Sequence, residues 1–316
     1  MDFELSEEHR MLKELVHRFV ADELIPLEGK VLAREAAGQG LRLEAEEHRR
    51  IDALSKELGL WGLDAPTDVG GTDLPAVAMI GVNEEVGYTV TPYTLPPDSP
   101  NLRMLMATVN ERQREAYLAP YVRGETVSAI GISEPGAGSD PAAMSTRAER
   151  DGEDWILNGR KIWISRAAEA DFTIVMALTD REKRARGGIS AFLVDKGTPG
   201  FTVPRRIPMV GGAVTYEVVL ENCRVEGWKL LGREGYGFAP MQLRLGTRRL
   251  QMAAWSIGMA QRALDMMCEY APQRVTFGQP LSDRQAIQWW IADAATKIHA
   301  TRLMTYDCAW KLDQGR

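Results

Sequence analysis
Cysteine and histidine are scarce in this chain, at three and four copies in 316 residues. Cys223, Cys268 and Cys308 show neither metal-pair spacing nor a framework of close pairs. This excludes a disulfide-stapled scaffold and a Cys/His zinc site, and implies reduced thiols in a cytoplasmic setting. Long apolar runs are also absent: none approaches the ~20 residues that cross a bilayer as a helix. The start, Met1-Asp-Phe-Glu4, is acidic where a secretory signal is basic and then apolar. Positive charge is outnumbered, with 38 Lys and Arg against 44 Asp and Glu and a net charge of −6. Bulk attraction to nucleic acid or anionic membranes is therefore excluded, and any charged ligand must be held by local groups. What remains is a 45% hydrophobic chain, enough to bury a large core divided into two or three units.

The hydrophobic period divides the chain into helices, strands and helices again. Residues 5–22 place Leu12, Leu15, Val16, Phe19 and Val20 on one face at helical spacing, and Ser6-Glu-Glu suits a capped first turn. Further helical patterns cover about 43–58, 74–88 and 102–122. From residue 126 the period moves towards two. Asn158-Gly159, between Trp155-Ile-Leu157 and Lys161-Ile-Trp163, predicts a two-residue hairpin. Strands are expected at Phe172–Leu178, Ile189–Asp195, Phe201–Arg205 and Tyr216–Val225, joined by gaps short enough only for antiparallel pairing. Helical periodicity returns from Met241 to about Tyr270 and from Asp283 to about Leu312. The expected units are a helical domain at 1–125, a β-barrel or sandwich domain at 126–235 and a helical domain at 236–316, an α+β fold.

Three segments carry chemistry. Ile132-Ser-Glu-Pro-Gly-Ala-Gly-Ser-Asp140 reads by itself as a turn, because Pro fixes φ and Gly supplies positive φ. The same loop also presents backbone N–H groups without obstruction at Gly136 and Gly138, and hydroxyl donors at Ser133 and Ser139. Lys161-Ile-Trp-Ile-Ser165 adds the broad apolar face of Trp163, against which a planar heterocycle stacks. Gly136-Ala-Gly138 contains G-x-G but lacks the third glycine and the following crossover of a dinucleotide fingerprint. Third, Arg274-Val-Thr-Phe-Gly278 with Gln285 offers a guanidinium for a pyrophosphate, a turn beside it and an amide on the next helix.

In this order the three segments resemble the acyl-CoA dehydrogenase family along essentially the whole chain. The resemblance implies FAD, with contacts from Ile130, Ile132, Ser133, Gly138, Ser139, Trp163, Ile164 and Ser165, and from Arg274, Phe277 and Gln285 across a subunit interface. A homodimer or homotetramer follows. It also implies α,β-dehydrogenation of an acyl-CoA thioester, electrons passing to an electron-transfer flavoprotein, and substrate contacts from Ser139 and Arg249. Tyr93-Thr-Leu-Pro-Pro97 lies where the acyl tail approaches in relatives.

The base of that reaction is not found within 1–316. Relatives carry a Glu either near the far C-terminus or in the helix around Leu245–Leu250, and here Arg248 stands in the second place. The family runs several tens of residues past the position of Arg316, so the C-terminal helical bundle is expected to be incomplete. Two departures stand out: Pro272 should end or kink the helix before Arg274, and Gly246 replaces a frequent Asp. Two other functions stay open, a flavoenzyme of other chemistry on this scaffold (oxidase, monooxygenase or carbon–sulfur lyase) and a non-catalytic flavin-binding subunit. The Met-rich stretch Met252, Met259, Met266, Met267 and the pair Trp289-Trp290 are expected to pack in a helical core. Arg181–Arg186 is expected to be a solvated loop, and His299 and Cys308 are expected to be structural.

Overall fold
The computed structural model describes residues 6–316, so the expectations placed on Met1–Leu5 lie outside the described residues. Helices α1 (Glu7–Phe19), α2 (Glu28–Ala36), α3 (Ala45–Glu57), α4 (Ala76–Val86), α5 (Ser99–Met106), α6 (Glu111–Gln113) and α7 (Ala119–Arg123) come first. Ser6 caps α1 by accepting a hydrogen bond from the His9 N–H at 3.2 Å. Val16, Phe19 and Val20 are buried, and Leu12 and Leu15 pack against the same core with α4 residues Ala78, Val82 and Val86. The helix expected over 102–122 is instead broken between α5 and α6. Asn110 forms a capping box with Gln113, each side chain accepting from the other's backbone N–H, and this restarts the helix.

The middle of the chain forms one eight-stranded sheet from β1 (Ser128–Gly131), β2 (Arg147–Asp151), β3 (Asp154–Ser165), β4 (Phe172–Leu178), β5 (Ile189–Asp195), β6 (Phe201–Pro208), β7 (Val214–Val225) and β8 (Leu230–Leu231). Its path is β6-β7-β3-β2-β4-β5-β8, with β1 added to β4. Every residue of β4 is buried, because the strand separates two cores. Phe172, Ile174, Met176 and Leu178 face α5 and the helical segment containing Tyr117 and Tyr121. Val175 and Ala177 face Trp155, Leu157, Phe192 and Val218 inside the curled sheet. Alternate side chains of a strand point to opposite faces, and each large apolar one fully buried contributes about 1.5–3 kcal/mol.

One expectation for this region is corrected. Asn158-Gly159 makes no hairpin: β3 runs through it, with a bulge against β7 between Leu157 and Gly159. Asn158 Oδ1 accepts from the Asn222 N–H at 2.8 Å, and Gly159 packs so closely on Thr146 that a Cβ would lie 2.3 Å from its Oγ1. The hairpin turns instead at Gly152, φ 65°, between Asp151 and Asp154. The expected strands do pair antiparallel, β4 with β5 and β6 with β7, whereas β1, which was not among them, runs parallel to β4 from Ser128↔Phe172 to Gly131↔Val175. The β2–β3 hairpin lies between them in sequence and is long enough to bring the chain back in the same direction.

Helix α8 (Phe238–Gln273), the two-stranded turn β9 (Val275–Thr276) and β10 (Gln279–Pro280), and helix α9 (Gln285–Asp313) complete the fold. Pro272 ends α8 one residue later, at Gln273. Helices α8 and α9 pack on α4 through Ile80, Ala254, Tyr306 and Ala309. The expected packing of the methionines and tryptophans is not found: Met259, Met266, Trp289 and Trp290 are each more than half exposed, and Met252 and Met267 are exposed as well. His299 and Cys308 are also exposed. The Arg181–Arg186 loop is solvated, as expected.

Candidate functional site
The loop that follows β1 is held from below by a buried ion pair. Glu134 and Ala137 exchange backbone hydrogen bonds of 2.9 and 3.1 Å, closing the Glu-Pro-Gly-Ala turn. The Glu134 carboxylate accepts from Lys161 Nζ at 2.8 Å, the Thr146 N–H at 2.9 Å, and the Ser145 N–H and Oγ at 2.6 and 2.7 Å. Lys161 also donates to the Ile132 carbonyl at 3.2 Å. Its side chain is 0% exposed and that of Glu134 3%, and Gly131 leaves room for the lysine stem, which lies 3.2 Å from where a Cβ would be. Burial pushes the Lys161 ammonium down to about 8. Burial acts on Glu134 in the opposite sense, yet Lys161 and the surrounding donors outweigh it and hold the carboxyl down at about 2. The pair therefore stays ionised at neutral pH and ties the loop to β3.

Above that anchor the loop is open. Pro135, Gly136, Gly138 and Ser139 are exposed, and a Cβ on Gly136 or Gly138 would meet nothing within 4 Å. The hydroxyls of Ser133, Ser139 and Ser165 and the amides of Gly138 and Ser139 have no hydrogen-bond partner among the described residues. Beside them a second bulge, between Lys161 and Ile164, breaks the β3–β7 register. It puts Trp163 at φ 62° and leaves its indole 52% exposed, while Ile162 and Ile164 stay buried. A non-glycine residue in the left-handed region costs about 1–2 kcal/mol. Strain of this kind, spent on exposing an apolar ring, is a mark of a ligand surface. Ile130 and Ile132, half-buried, lie between this surface and the β4 core. Donors facing open space beside a flat apolar ring fit the isoalloxazine of a flavin, which needs both.

Arg274, Phe277 and Gln285 form a separate group at the end of α8. Phe277 is 100% exposed at φ 51° and Gly278 follows at φ 75°, giving the two-residue turn of the β9–β10 hairpin. Arg284 donates to the Thr276 carbonyl at 2.6 Å and the Leu281 N–H to the Arg274 carbonyl at 2.8 Å. Arg274 and Gln285 are exposed. No hydrogen bond among the described residues joins this hairpin to the β domain.

A cleft of about 690 Å³ opens between the 93–97 segment, α7, the β-domain rim and α8, lined by Tyr93, Pro97, Tyr121, Arg166, Trp255 and Met259 among others. Tyr93, buried, donates to Asp52 at 3.0 Å. Burial first, and Asp52 with it, raises the phenol far above its usual range, so it remains a donor. Two carboxylates line the cleft, Asp52 and Asp98, and both are engaged. Asp52 also meets His48 at 3.0 Å. Asp98 takes Arg248 Nη2 on both oxygens at 2.8 Å. Arg248 also donates to Gln251 at 2.6 Å, whereas Arg249, the next residue, is exposed with no side-chain partner among the described residues.

Sequence reasoning missed Lys161, Glu134, Asp98 and Arg166. Lys161 stood inside a quoted motif, but only the bulge reveals that it points inward. Asp98 and Arg248 are 150 residues apart, and nothing local in either segment signals the other.

Comparison with known proteins accords with this geometry. Models of the N-terminal, middle and C-terminal domains of acyl-CoA dehydrogenase match residues 6–125, 129–223 and 235–316. The (R)-benzylsuccinyl-CoA dehydrogenase of Thauera aromatica is 42% identical over 100% of this chain and 80% of its own length. Butyryl-CoA dehydrogenase from Megasphaera elsdenii has a similar structure, with TM-score 0.88 and 32% identity over 100% of this chain and 82% of its own. The FAD complex of PigA is similar too, at TM-score 0.87 and 28% identity, covering 100% of this chain and 82% of its own. With all three domain models matched and relatives of this similarity, the chain belongs to the acyl-CoA dehydrogenase family of flavoprotein oxidoreductases that act on CH–CH bonds.

Proposed function
We propose that this protein is an FAD-dependent dehydrogenase that introduces an α,β double bond into an acyl-CoA thioester and passes the electrons to an electron-transfer flavoprotein. The observation that carries the reading is the strained, half-exposed Trp163 beside the open Gly138-Ser139 loop, with the cleft containing Tyr93 and Trp255 in the same chain. FAD, when bound, supplies the acceptor for the substrate's β-hydride. Under this reading Trp163 covers its ring, and Ile130, Ile132, Ser133, Gly138, Ser139, Ile164 and Ser165 line it. Arg274 holds the pyrophosphate of a second subunit's FAD, with Phe277 and Gln285 beside it, so the working unit is a homodimer or homotetramer. Ser139 and Arg249 contact the substrate.

Asp98 and Asp52 are not assigned as the base, since their oxygens are occupied by Arg248 and by Tyr93 and His48. The aromatic and apolar walls exclude water from the acyl group, which strengthens hydrogen bonds to a developing enolate oxygen. Anaerobic titration of the purified holoprotein with acyl-CoA thioesters tests the proposal. Bleaching of the oxidised flavin band with formation of an enoyl-CoA supports it. A spectrum that shifts without bleaching points to other chemistry or to a non-catalytic subunit.

A further inference from the structure
Where α3 meets the 93–97 segment, the cleft is lined by a histidine that a carboxylate holds in place. His48 and Asp52, one turn apart on α3, both line the cleft. His48 Nδ1 lies 3.0 Å from Asp52 Oδ2, and Tyr93 donates to the other Asp52 oxygen at 3.0 Å. The imidazole meets the Tyr93 ring edge-on, with centroids 5.8 Å apart. Beneath them Ser55, fully buried, donates to the Asp52 carbonyl at 2.9 Å and lies 3.1 Å from the Tyr93 hydroxyl. The imidazole is therefore fixed on two sides. A carboxylate only accepts hydrogen bonds, so Nδ1 carries the proton of the neutral ring and Nε2 is left as a bare acceptor. Nε2 has no partner among the described residues, and the His48 side chain is 47% exposed.

Most other polar groups of the lining are satisfied within the chain. Thr89 donates to Glu28 and Thr91 to the Leu24 carbonyl, both at 2.7 Å. Trp61 donates to the Val122 carbonyl at 2.7 Å and Tyr121 to the Asp98 carbonyl at 3.2 Å. The unpaired Trp255 Nε1 and Thr126 Oγ1 are sealed off by burial. On this side of the cleft that leaves His48 Nε2 and the Thr94 hydroxyl, which has no partner among the described residues. Arg166 belongs to the β-domain rim. Leu41, Val86, Pro92 and Met259 make the neighbouring lining apolar. A hydrocarbon tail packed here would cover Nε2 and strip it of water without replacing the lost hydrogen bond. A hydroxyl on the tail donates to Nε2 and can accept from Thr94, and the histidine is held in position before the ligand arrives, which reduces the ordering cost of binding.

We propose that the acyl group of the substrate carries a hydroxyl at its far end, and that His48 Nε2 accepts a hydrogen bond from it. Asp52 and Tyr93 are positioning residues, acting through the imidazole. The inference rests on the dehydrogenase reading, which lays the acyl tail along 93–97, and adds to it the chemistry of the tail's end. The hydroxyl fixes how deep the tail runs, and the apolar and aromatic lining packs around the methylenes between it and the thioester.

The test uses the holoprotein and matched pairs, hexanoyl-CoA with 6-hydroxyhexanoyl-CoA and octanoyl-CoA with 8-hydroxyoctanoyl-CoA, so that two reaches are sampled. Kd comes from the shift of the flavin spectrum on binding, and kcat/KM from its bleaching. In the pair of matching reach the hydroxylated thioester is expected to bind about 3–10-fold more tightly, the value of one neutral hydrogen bond. His48→Phe keeps a planar ring without the acceptor and should bring that ratio to one or below. His48→Gln, whose Oε1 can accept, should recover part of it. His48 is exposed on α3, so neither change disturbs the core, and the ratio in the parent protein is a test by itself. A hydroxyl that weakens binding in both pairs overturns the inference. So does an equal loss on both members of a pair in His48→Phe, which would give His48 a packing role alone. Thioesters that bind with the expected ratio but never bleach the flavin would defeat the dehydrogenase reading and leave the hydroxyl contact standing.

Discussion
Lys161 and Glu134 form a buried ion pair, 2.8 Å between Nζ and Oε1, that joins the third strand of the sheet to the loop carrying Gly138 and Ser139. The pair touches no cleft residue directly. Its effect is to fix the height and tilt of a loop whose upper surface is otherwise free. Removing one partner leaves a charge buried without compensation, which costs about 3–5 kcal/mol. Lys161→Met should therefore lower unfolding stability by that amount in denaturant titration, and should reduce the FAD retained after gel filtration. The double variant with Glu134→Gln should regain part of the stability. A Lys161→Met protein as stable as the parent would show that the pair does not anchor the loop.

The same pair predicts the acid response. In the folded chain the Glu134 carboxyl is held at about 2 against an ordinary 4.5. As pH falls through that ordinary value the unfolded chain takes up a proton and the folded chain does not, so stability drops. The contribution is fully present above about pH 4.5 and lost by about pH 2, roughly 3 kcal/mol in all. Denaturation midpoints measured from pH 5 to 2.5 should fall more steeply for the parent than for the Glu134→Gln, Lys161→Met double variant. Parallel slopes would remove Glu134 from the account.

Trp163 is half in solvent, so its loss should leave the fold nearly intact while weakening the hold on flavin. For Trp163→Ala the expected change in unfolding stability of the apoprotein is within about 0.5 kcal/mol. The FAD dissociation constant should rise about 3–10-fold, the worth of one aromatic stacking contact. Fluorescence of released FAD on dilution measures it.

Arg274 should affect FAD without affecting the apoprotein, because its side chain is exposed at the end of α8. Arg274→Ala is expected to weaken FAD binding about 10–100-fold through a lost charged hydrogen bond. Mixing the Arg274→Ala and Trp163→Ala proteins tests the sharing of one site between subunits. Hybrid oligomers should recover some tight FAD sites, whereas recovery of none would place both residues in the same chain's site.

The order of helices, strands and helices was legible in the sequence because each element has its own period. β4, β5 and the capped first helix follow from residues that are neighbours in the chain. The hairpin misplaced at Asn158-Gly159 shows the limit of local reading. Asp151-Gly152 and Asn158-Gly159 are both good turn dipeptides, and only the pairing of β3 with β7 decides that the second one runs straight. The methionines of α8 and the tryptophans of α9 show the same limit, since helical spacing gives a face but does not say what covers it.

For the site, the sequence alone determined the chemistry that loop and strand can offer: glycines that clear an approach, hydroxyls that donate, an indole that stacks, and an arginine with a glycine turn beside it. Such properties belong to residue types and short spacings, and tertiary packing does not change them. The tertiary structure decided which groups meet. It turned Lys161 inward and Trp163 outward through one bulge, brought Asp98 to Arg248, and set Arg166 and Trp255 around one cleft. These contacts join segments far apart in the chain, where the cost of closing the loop is met by burial in a shared core, and no local pattern records that exchange.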